Sequence, residues 1–477
     1  MLYWCVVLAT PLCVAQPDFS RTASPVSPAA ADPAIAGAIR GIEPHRIEQT
    51  IDALVKFGTR STLSSMEADL PAGQGVEAAA DWIAGQFEEI SKTCGGCLEV
   101  RRDTFTADPA SSGGVWSGRI PRPTRLTNIY AILRGADPVQ ARRMELVTGH
   151  YDSRNSNVLD ARGIAPGAND DASGVAVSLE CARALSRLHL PATVVFVAVA
   201  GEEQGLVGSA HLAQLAKSEG WQLEAVLNND IVGGNTTPGD TLQLKDRVRV
   251  FSEGVPAAAT PEEARRIRAL GGENDSPSRQ LARAIADTAR SYFAEPEGRP
   301  FAAFLVARPD RYLRGGDHSS FNREGFAAVR FTEWREDYNH QHQNVIRPPA
   351  GSAEPAMGDL PEFVDFDYVA DVARLNAATL ATLAASPGQP GKVAIATEKL
   401  ENGTTLHWEP PPGAGSGVHY EVLWRQTTAP DWEFAQVVPS GVPGTAIAVT
   451  VPVSKDNVIF GVRAVDSAGH RGLVVAP

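Results

Sequence analysis

Leu146-Val147-Thr148-Gly149-His150-Tyr151-Asp152-Ser153 is an apolar run that ends in a histidine and, two residues on, an acid. The run does not alternate, which fits a strand covered on both faces rather than one with a wet side. Gly167-Ala168-Asn169-Asp170-Asp171-Ala172-Ser173-Gly174 comes next and opens a helical pattern that continues to Leu188. The apolar run Thr193–Ala200 then leads to Gly201-Glu202-Glu203, and a helix over Gly208–Ser218 separates it from Leu223–Leu227 and Asp230. A later run, Ala327–Thr332, precedes His340 and His342. Such β/α alternation predicts an α/β fold with a mixed, largely parallel central sheet flanked by helices. Open sheets of this kind place their chemistry at the carboxyl ends of strands, where each of these acids and histidines falls.

The chain has 477 residues, more than one hydrophobic core usually serves, so two or more domains are expected. Hydrophobic residues make up 43% and charged residues 21%, ordinary values for a soluble globular protein. A net charge of -13 with no basic stripe argues against nucleic acid or an anionic membrane surface as partner. Met1–Ala15 is apolar and ends Cys13-Val14-Ala15, as a signal peptide does, although no Lys or Arg precedes it and Pro11 interrupts it. The expected location is therefore secreted or periplasmic. No transmembrane anchor is expected, since no other segment approaches the ~18 uncharged apolar residues of a span.

Cys94-Gly95-Gly96-Cys97 has the spacing of a redox motif or half a zinc site. Without a second pair, and in an exported chain, it reads as a local disulfide. Cys181 falls on an apolar helical face with Val177 and Leu185 and is expected to be buried and inert.

Residues 16–38, rich in Pro, Ala and Ser at their start, read as a disordered leader. The α/β domain is expected over residues 39–387, with amphipathic helices from Glu43 and over Gly75–Ile90, and strands at Leu98–Phe105 and Thr127–Leu133. Its segment 236–314, interrupted by Pro and charge and carrying a helix at Ser278–Phe293, reads as an insertion capping the site. A long helix, Phe366–Leu383, closes the domain. Residues 391–477 change character, with short alternating strands at Val393–Thr397, Thr404–Trp408, His419–Arg425, Ala446–Val451 and Val458–Val465. That spacing predicts a small all-β sandwich.

One His, one Asp, one Glu pair, a second Asp and a late His at strand ends form a set that can converge on metal. Zinc takes imidazole nitrogen and carboxylate oxygen at about 2.0–2.2 Å, and two ions ~3.5–4 Å apart can share a hydroxide and polarise a carbonyl. Asp170, in a glycine-rich turn, suits a bridging carboxylate; His150 and Asp230 then serve one ion, Glu203 and a late histidine the other. Glu202 and Glu203 cannot point the same way from an extended backbone, so one suits a ligand and its neighbour a general base. Asp152 can accept the second N–H of the His150 imidazole and fix its tautomer.

Gly149-His150-Tyr151-Asp152-Ser153, Gly167 to Gly174, Gly201-Glu202-Glu203-Gln204-Gly205 and Asp317-His318-Ser319-Ser320-Phe321 resemble the co-catalytic zinc aminopeptidase family, which includes secreted bacterial leucyl aminopeptidases and more distant glutamate carboxypeptidases. The resemblance covers roughly residues 40–385 and implies a zinc exopeptidase fold with two Zn2+ per chain. It also implies His150 and Asp230 on one zinc, Asp170 bridging, Glu203 and a late histidine on the other, Glu202 as general base, Asp152 as orienter, and a cis Asp170–Asp171 peptide. The family shows Tyr-His-Thr with an acid four residues after the histidine. Here His340 to Asn344 reproduces the interval with Asn replacing the acid, so His340 is preferred to His342 as the last ligand. Trp408-Glu409-Pro410, Tyr420 to Trp424 and Val462 to Asp466 resemble a fibronectin type III module, expected to act as an accessory that binds a surface or protein partner.

Singly, these residues have plainer uses. Asp152 and Asp170 could be turn or N-cap residues, Glu202-Glu203 first-turn helix acids, His150 a core histidine. Five motifs in order favour the metal site. His318 and Tyr338 either line the pocket or hold a loop, and His407, His419 and His470 are given no role. The expected activity is an aminopeptidase acting on peptide substrates; a carboxypeptidase or single-zinc glutaminyl cyclase of the same fold, or a non-catalytic scaffold, are the alternatives.

Overall fold

Residues 23–113, 116–293, 300–349, 351–442 and 444–477 are described in a computed structural model. The expected signal segment 1–15 lies outside them. In chain order, β1 (Ser24–Pro25), α1 (Pro33–Arg40), α2 (Pro44–Val55) and α3 (Val76–Thr93) precede the strands β2 (Leu98–Ala107) and β3 (Thr124–Leu133). The alternation follows as β4 (Arg143–His150), α4 (Ala172–Leu185), β5 (Thr193–Val199), α5 (Val207–Ser218) and β6 (Gln222–Asn229). Then come β7 (Arg247–Ser252), α6 (Pro261–Ala269), α7 (Pro277–Tyr292), β8 (Ala302–Val306), α8 (His318–Arg323), β9 (Ala328–Thr332) and α9 (Phe366–Ala385).

The strands of this α/β body form one eight-stranded sheet in the order β2-β3-β5-β4-β6-β9-β7-β8. Its centre, β5, β4, β6 and β9, is parallel; β3 and β7 join those four antiparallel. Because β4 lies between β5 and β6, the connections through α4 and α5 run in opposite directions along the sheet. Right-handed crossovers then put the two helices on opposite faces. Val194, Phe196 and Ala198 share one buried cluster with α4 and α9, while Val195, Val197 and Val199 share another with α5 and Phe321 of α8. Successive side chains of β5 therefore enter different cores, which is why the sequence shows no alternation. Each fully buried Val or Phe contributes roughly 1.5–3 kcal/mol. Helix α4 starts hard against the sheet: a Cβ on Gly149 would lie 2.4 Å from the Gly174 carbonyl carbon.

Two expectations are corrected. Segment 236–314 is no separate cap: it supplies β7 and β8, which complete the far edge of the sheet, and α7, which packs on α9. Both strands are short and β7 is interrupted by Arg247 and Arg249, so they escaped the pattern. The second correction concerns the leader. From Ser24 it is ordered, because β1 pairs with a sandwich strand and α1 buries Ile35 and Ile39 in the main core. Asp32 caps α1 by accepting from the Ala34 and Ile35 amides.

The remaining strands, β10 (Gly391–Ile395), β11 (Thr404–Glu409), β12 (His419–Gln426), β13 (Phe434–Val438), β14 (Ile447–Val451) and β15 (Val458–Val465), form a sandwich of β10-β11-β14 against β1-β13-β12-β15. Trp408, Tyr420, Trp424 and Phe460 fill it. It rests on α7 and the turn before it: Arg425, 2% exposed, donates through Nη2 to both oxygens of Asp275 at 2.8 Å. Trp432 Nε1 donates to Gln280 Oε1 at 3.1 Å. Cys94 and Cys97 are disulfide-bonded and Cys181 is a buried free thiol. Among the described residues no helix is long and apolar enough to cross a membrane.

His470 closes the join between leader and sandwich, with Nε2 3.0 Å from Asp32 Oδ2 and Nδ1 2.8 Å from Asp466 Oδ2. Burial alone would lower its pKa, but hydrogen bonds to Asp466 and Asp32 outweigh burial and raise it. A raised folded-state pKa stabilises fully below the unfolded value of ~6.5, and that stability fades as pH rises through the folded value. The H470Q variant is therefore expected to lose about 1 kcal/mol or less near pH 6, after solvent screening, and nothing measurable near pH 9. Paired thermal melts of the two proteins at both pH values check this; an equal penalty at both would show that charge plays no part.

Candidate metal centre

His150, Glu203 and Asp230 sit at or just past the carboxyl ends of β4, β5 and β6, and Asp170 and His342 reach them from loops. His150 is the last residue of β4, and its Nε2 lies 3.0 Å from Asp170 Oδ1 and 3.9 Å from Asp230 Oδ1. Asp170 stands in the loop that leads into α4, and Asp230 follows β6. Glu203 follows β5, and its Oε1 lies 2.9 Å from His342 Nε2, which is also 2.8 Å from Asp170 Oδ2. Two groups result, His150/Asp170/Asp230 and Asp170/Glu203/His342, each with ligand atoms within 4.8 Å of one another. Asp170 belongs to both, one oxygen facing each histidine.

The late histidine is His342, not the preferred His340. His340 stacks on Phe363 with ring centroids 3.5 Å apart, meets Thr237 Oγ1 at 3.2 Å and belongs to neither group. His342 takes a left-handed backbone conformation, φ 56°, that turns its ring into the centre. An interval count along the chain cannot register that turn.

Asp152 also works differently from expectation. The His150 Nδ1 is closer to the Asp152 main-chain oxygen, 3.1 Å, than to its Oδ1, 3.5 Å. The carboxylate accepts instead from the amides of Glu202 and Glu203, each at 3.2 Å, and from Thr62 Oγ1 at 2.8 Å. It thus fixes the turn that aims the two glutamates. Glu203 Oε1 meets His342, while the neighbouring Glu202 stays partly exposed at the surface. Burial, with Asp230 and Glu203 behind it and against the pull of His150, pushes the Glu202 carboxyl well up.

Several supports carry no motif. Asp359 accepts from the amides of Asn169 and Asp170, both at 2.7 Å, and so holds the bridging residue from behind. Gln341 Nε2 donates to Asp170 Oδ2 at 3.1 Å. Arg60, fully buried, donates to the carbonyls of Tyr151, Leu54, Pro166 and Gly167, pinning the loop before Asp170. Arg330 Nη2 lies 2.8 Å from Asp230 Oδ1. Asp171 accepts from the His150 and Gly174 amides and caps α4. The Asp170–Asp171 peptide is cis. His318 Nε2 donates to Pro309 O at 2.8 Å and holds its loop, while Tyr338 is exposed under Arg314.

Imidazole nitrogens and carboxylate oxygens are the usual donors to zinc. The buried His150 Nε2 and Glu203 Oε1 make no hydrogen bond despite neighbours at 3.0 and 2.9 Å, as expected of donors aimed at a common point rather than at each other. Burial alone would lower the His342 pKa, yet Glu203 and Asp170 lift it to about 10. Acids thus concentrate negative charge here, and the residues fit a dication that displaces those protons. H342A is expected to lose bound zinc and H340A to retain the wild-type content; elemental analysis after dialysis distinguishes them, and the reverse pattern would restore His340.

Known proteins resemble this chain along most of its length. The family profile for Peptidase family M28 matches residues 128–359. A probable zinc metalloprotease of Pyricularia oryzae is 43% identical over 97% of this chain and 88% of its own. Another, of Leptosphaeria maculans, is 41% identical over 92% of this chain and 95% of its own. Among solved structures, the LapA aminopeptidase of Legionella pneumophila aligns over 76% of this chain and 77% of its own at 17% identity and a TM-score of 0.48. The glutaminyl cyclase of Fimbriiglobus ruber aligns over 72% of this chain and 95% of its own at 18% identity and a TM-score of 0.45. With relatives this similar along nearly its whole length, the chain belongs to peptidase family M28, as a zinc metalloprotease.

Proposed function

We propose that the protein is an aminopeptidase that releases N-terminal residues from peptides and holds two zinc ions, one in each group that shares Asp170. The observation that carries this reading is a bridging carboxylate between two histidine-acid groups, with a partly exposed glutamate at its side. When bound, zinc polarises the scissile carbonyl and makes the attacking water more acidic. Glu202 takes the proton from that water and delivers it to the leaving amine nitrogen. Its main chain is anchored by Asp152 Oδ1, so the carboxylate swings over a fixed pivot. Glu203, Asp170, Asp230, His150 and His342 remain committed to zinc. Asp317, buried near Glu202, favours a cationic group beside the scissile bond, as the free α-ammonium of a substrate supplies.

The sandwich reads as a fibronectin type III-like accessory, supported by its three-stranded sheet facing the one centred on β12. A secreted or periplasmic location is supported by the Cys94–Cys97 disulfide, since such bonds persist in oxidising compartments.

E202Q is expected to keep wild-type zinc while turnover of aminoacyl-nitroanilides falls by roughly 10²–10⁴-fold, the usual worth of a general base. Steady-state kinetics on the zinc-loaded variant measure it, and wild-type turnover would remove Glu202 from the mechanism.

A further inference from the structure

Glu203 is gripped on both sides. Its Oε1 faces His342, while its Oε2 lies 3.1 Å from Arg154 Nε. Its main-chain oxygen accepts from Arg119 Nη1 at 2.7 Å. Two guanidinium groups therefore meet on one acid. The Arg154 side chain is only 17% exposed, and its Nε is wholly buried. Among the described residues, Arg154 makes no hydrogen bond and no ion pair besides Glu203, and Nε and Nη2 of Arg119 make neither. Burial first, and the Arg154 charge second, lower the Arg119 pKa, as expected of two cations crowded without enough anion between them.

The pair occupies a defined wall of the centre. Arg154 follows the β4 strand end by a few residues, and Arg119 lies in the loop of Trp116. That indole packs on Gly205, where a Cβ would meet Trp116 Cβ at 2.9 Å, and its Cη2 reaches within 4.0 Å of a Cβ on Gly315. The loop thus runs along the Glu202–Glu203 turn. A free guanidinium edge presents two parallel N–H donors, the geometry that accepts a carboxylate bidentately. Consecutive Cα atoms are 3.8 Å apart, so a carboxylate held at Arg154 leaves the preceding carbonyl about one residue away, beside Glu203 and His342.

We propose that Arg154 and Arg119 form a carboxylate-recognition subsite, and that the preferred substrates are short peptides whose α-carboxylate lies one residue beyond the scissile bond, dipeptides above all. Asp317 then faces the substrate ammonium and the arginines its carboxylate, so the two charged ends of a dipeptide are read by different residues. The orientation of that substrate rests on the aminopeptidase reading.

The test compares leucyl-glycine with leucyl-glycinamide, and N-acetyl-leucyl-glycine with its amide, on zinc-loaded wild type, R154M and R119M, with zinc per chain measured for each. The free acid should exceed the amide in kcat/KM by roughly tenfold to a hundredfold in wild type, mostly through KM, as one charge-assisted hydrogen bond is worth. In R154M that ratio should collapse toward one with zinc retained. Equal rates on acid and amide in wild type overturn the subsite, as does a wild-type ratio in R154M. Should R154M shed its zinc, R119M decides: a reduced acid-to-amide ratio supports the subsite and an unchanged one overturns it. Cleavage of N-acetyl-leucyl-glycine over its amide, with leucyl-glycine untouched, would keep the subsite and overturn the aminopeptidase reading instead.

Discussion

The structure depends on where Asp170 is held. One of its oxygens faces His150 from β4 and the other faces His342 from a loop far along the chain, so a shift of either partner uncouples the two halves of the centre. Its position is over-determined. Asp359 takes its amide, Gln341 takes its carboxylate, and Arg60 ties the carbonyls of Pro166 and Gly167 just before it. A buried arginine spent entirely on main-chain carbonyls is a costly device, justified where the loop it fixes must not move. Preorganisation of this kind lets ligands meet a metal without reordering the chain at the moment of binding.

The sheet explains why so many acids can be gathered at one place. Four parallel strands end together, and the reversal of connection at β4 opens a crevice between the loops that leave it. Those loops carry Asp152, Asp170, Glu202, Glu203 and Asp230 into a region already shielded by two helical layers. The arginines 60, 119, 154 and 330 interleave with them, each touching the carboxylates or their loops. Charge is thus balanced by neighbours at fixed distances rather than by solvent.

The α/β architecture and four of the five side chains gathered in the two groups that share Asp170 were legible because strand ends and apolar runs are local patterns. Unalternating runs announced two-sided burial, and that is what β4 and β5 show. What remained hidden depended on long-range geometry. His342 was passed over because a left-handed residue redirects a side chain without any sign in spacing. Asp359 and Arg330 lack a motif, and act through atoms that only the fold brings near. β7 is six residues long with Arg247 and Arg249 among them, and β8 has only five residues, so their run was read as an insertion. The leader looked disordered because its ordering comes from β13 and α9, partners that its own composition cannot reveal.

The pairing of β1 with β13 has a temporal side. Ser24 meets Ala435 and Pro25 meets Phe434, so a segment made before the α/β body finds its partner only after that body and half of the sandwich have left the ribosome. Until then α1 and the edge of the sandwich are both incomplete, and an unpaired strand edge invites intermolecular pairing. The late closure makes the sandwich a checkpoint on the nascent chain: a molecule cut short before β13 cannot fasten its own leader, and betrays its truncation as a loose N-terminal arm.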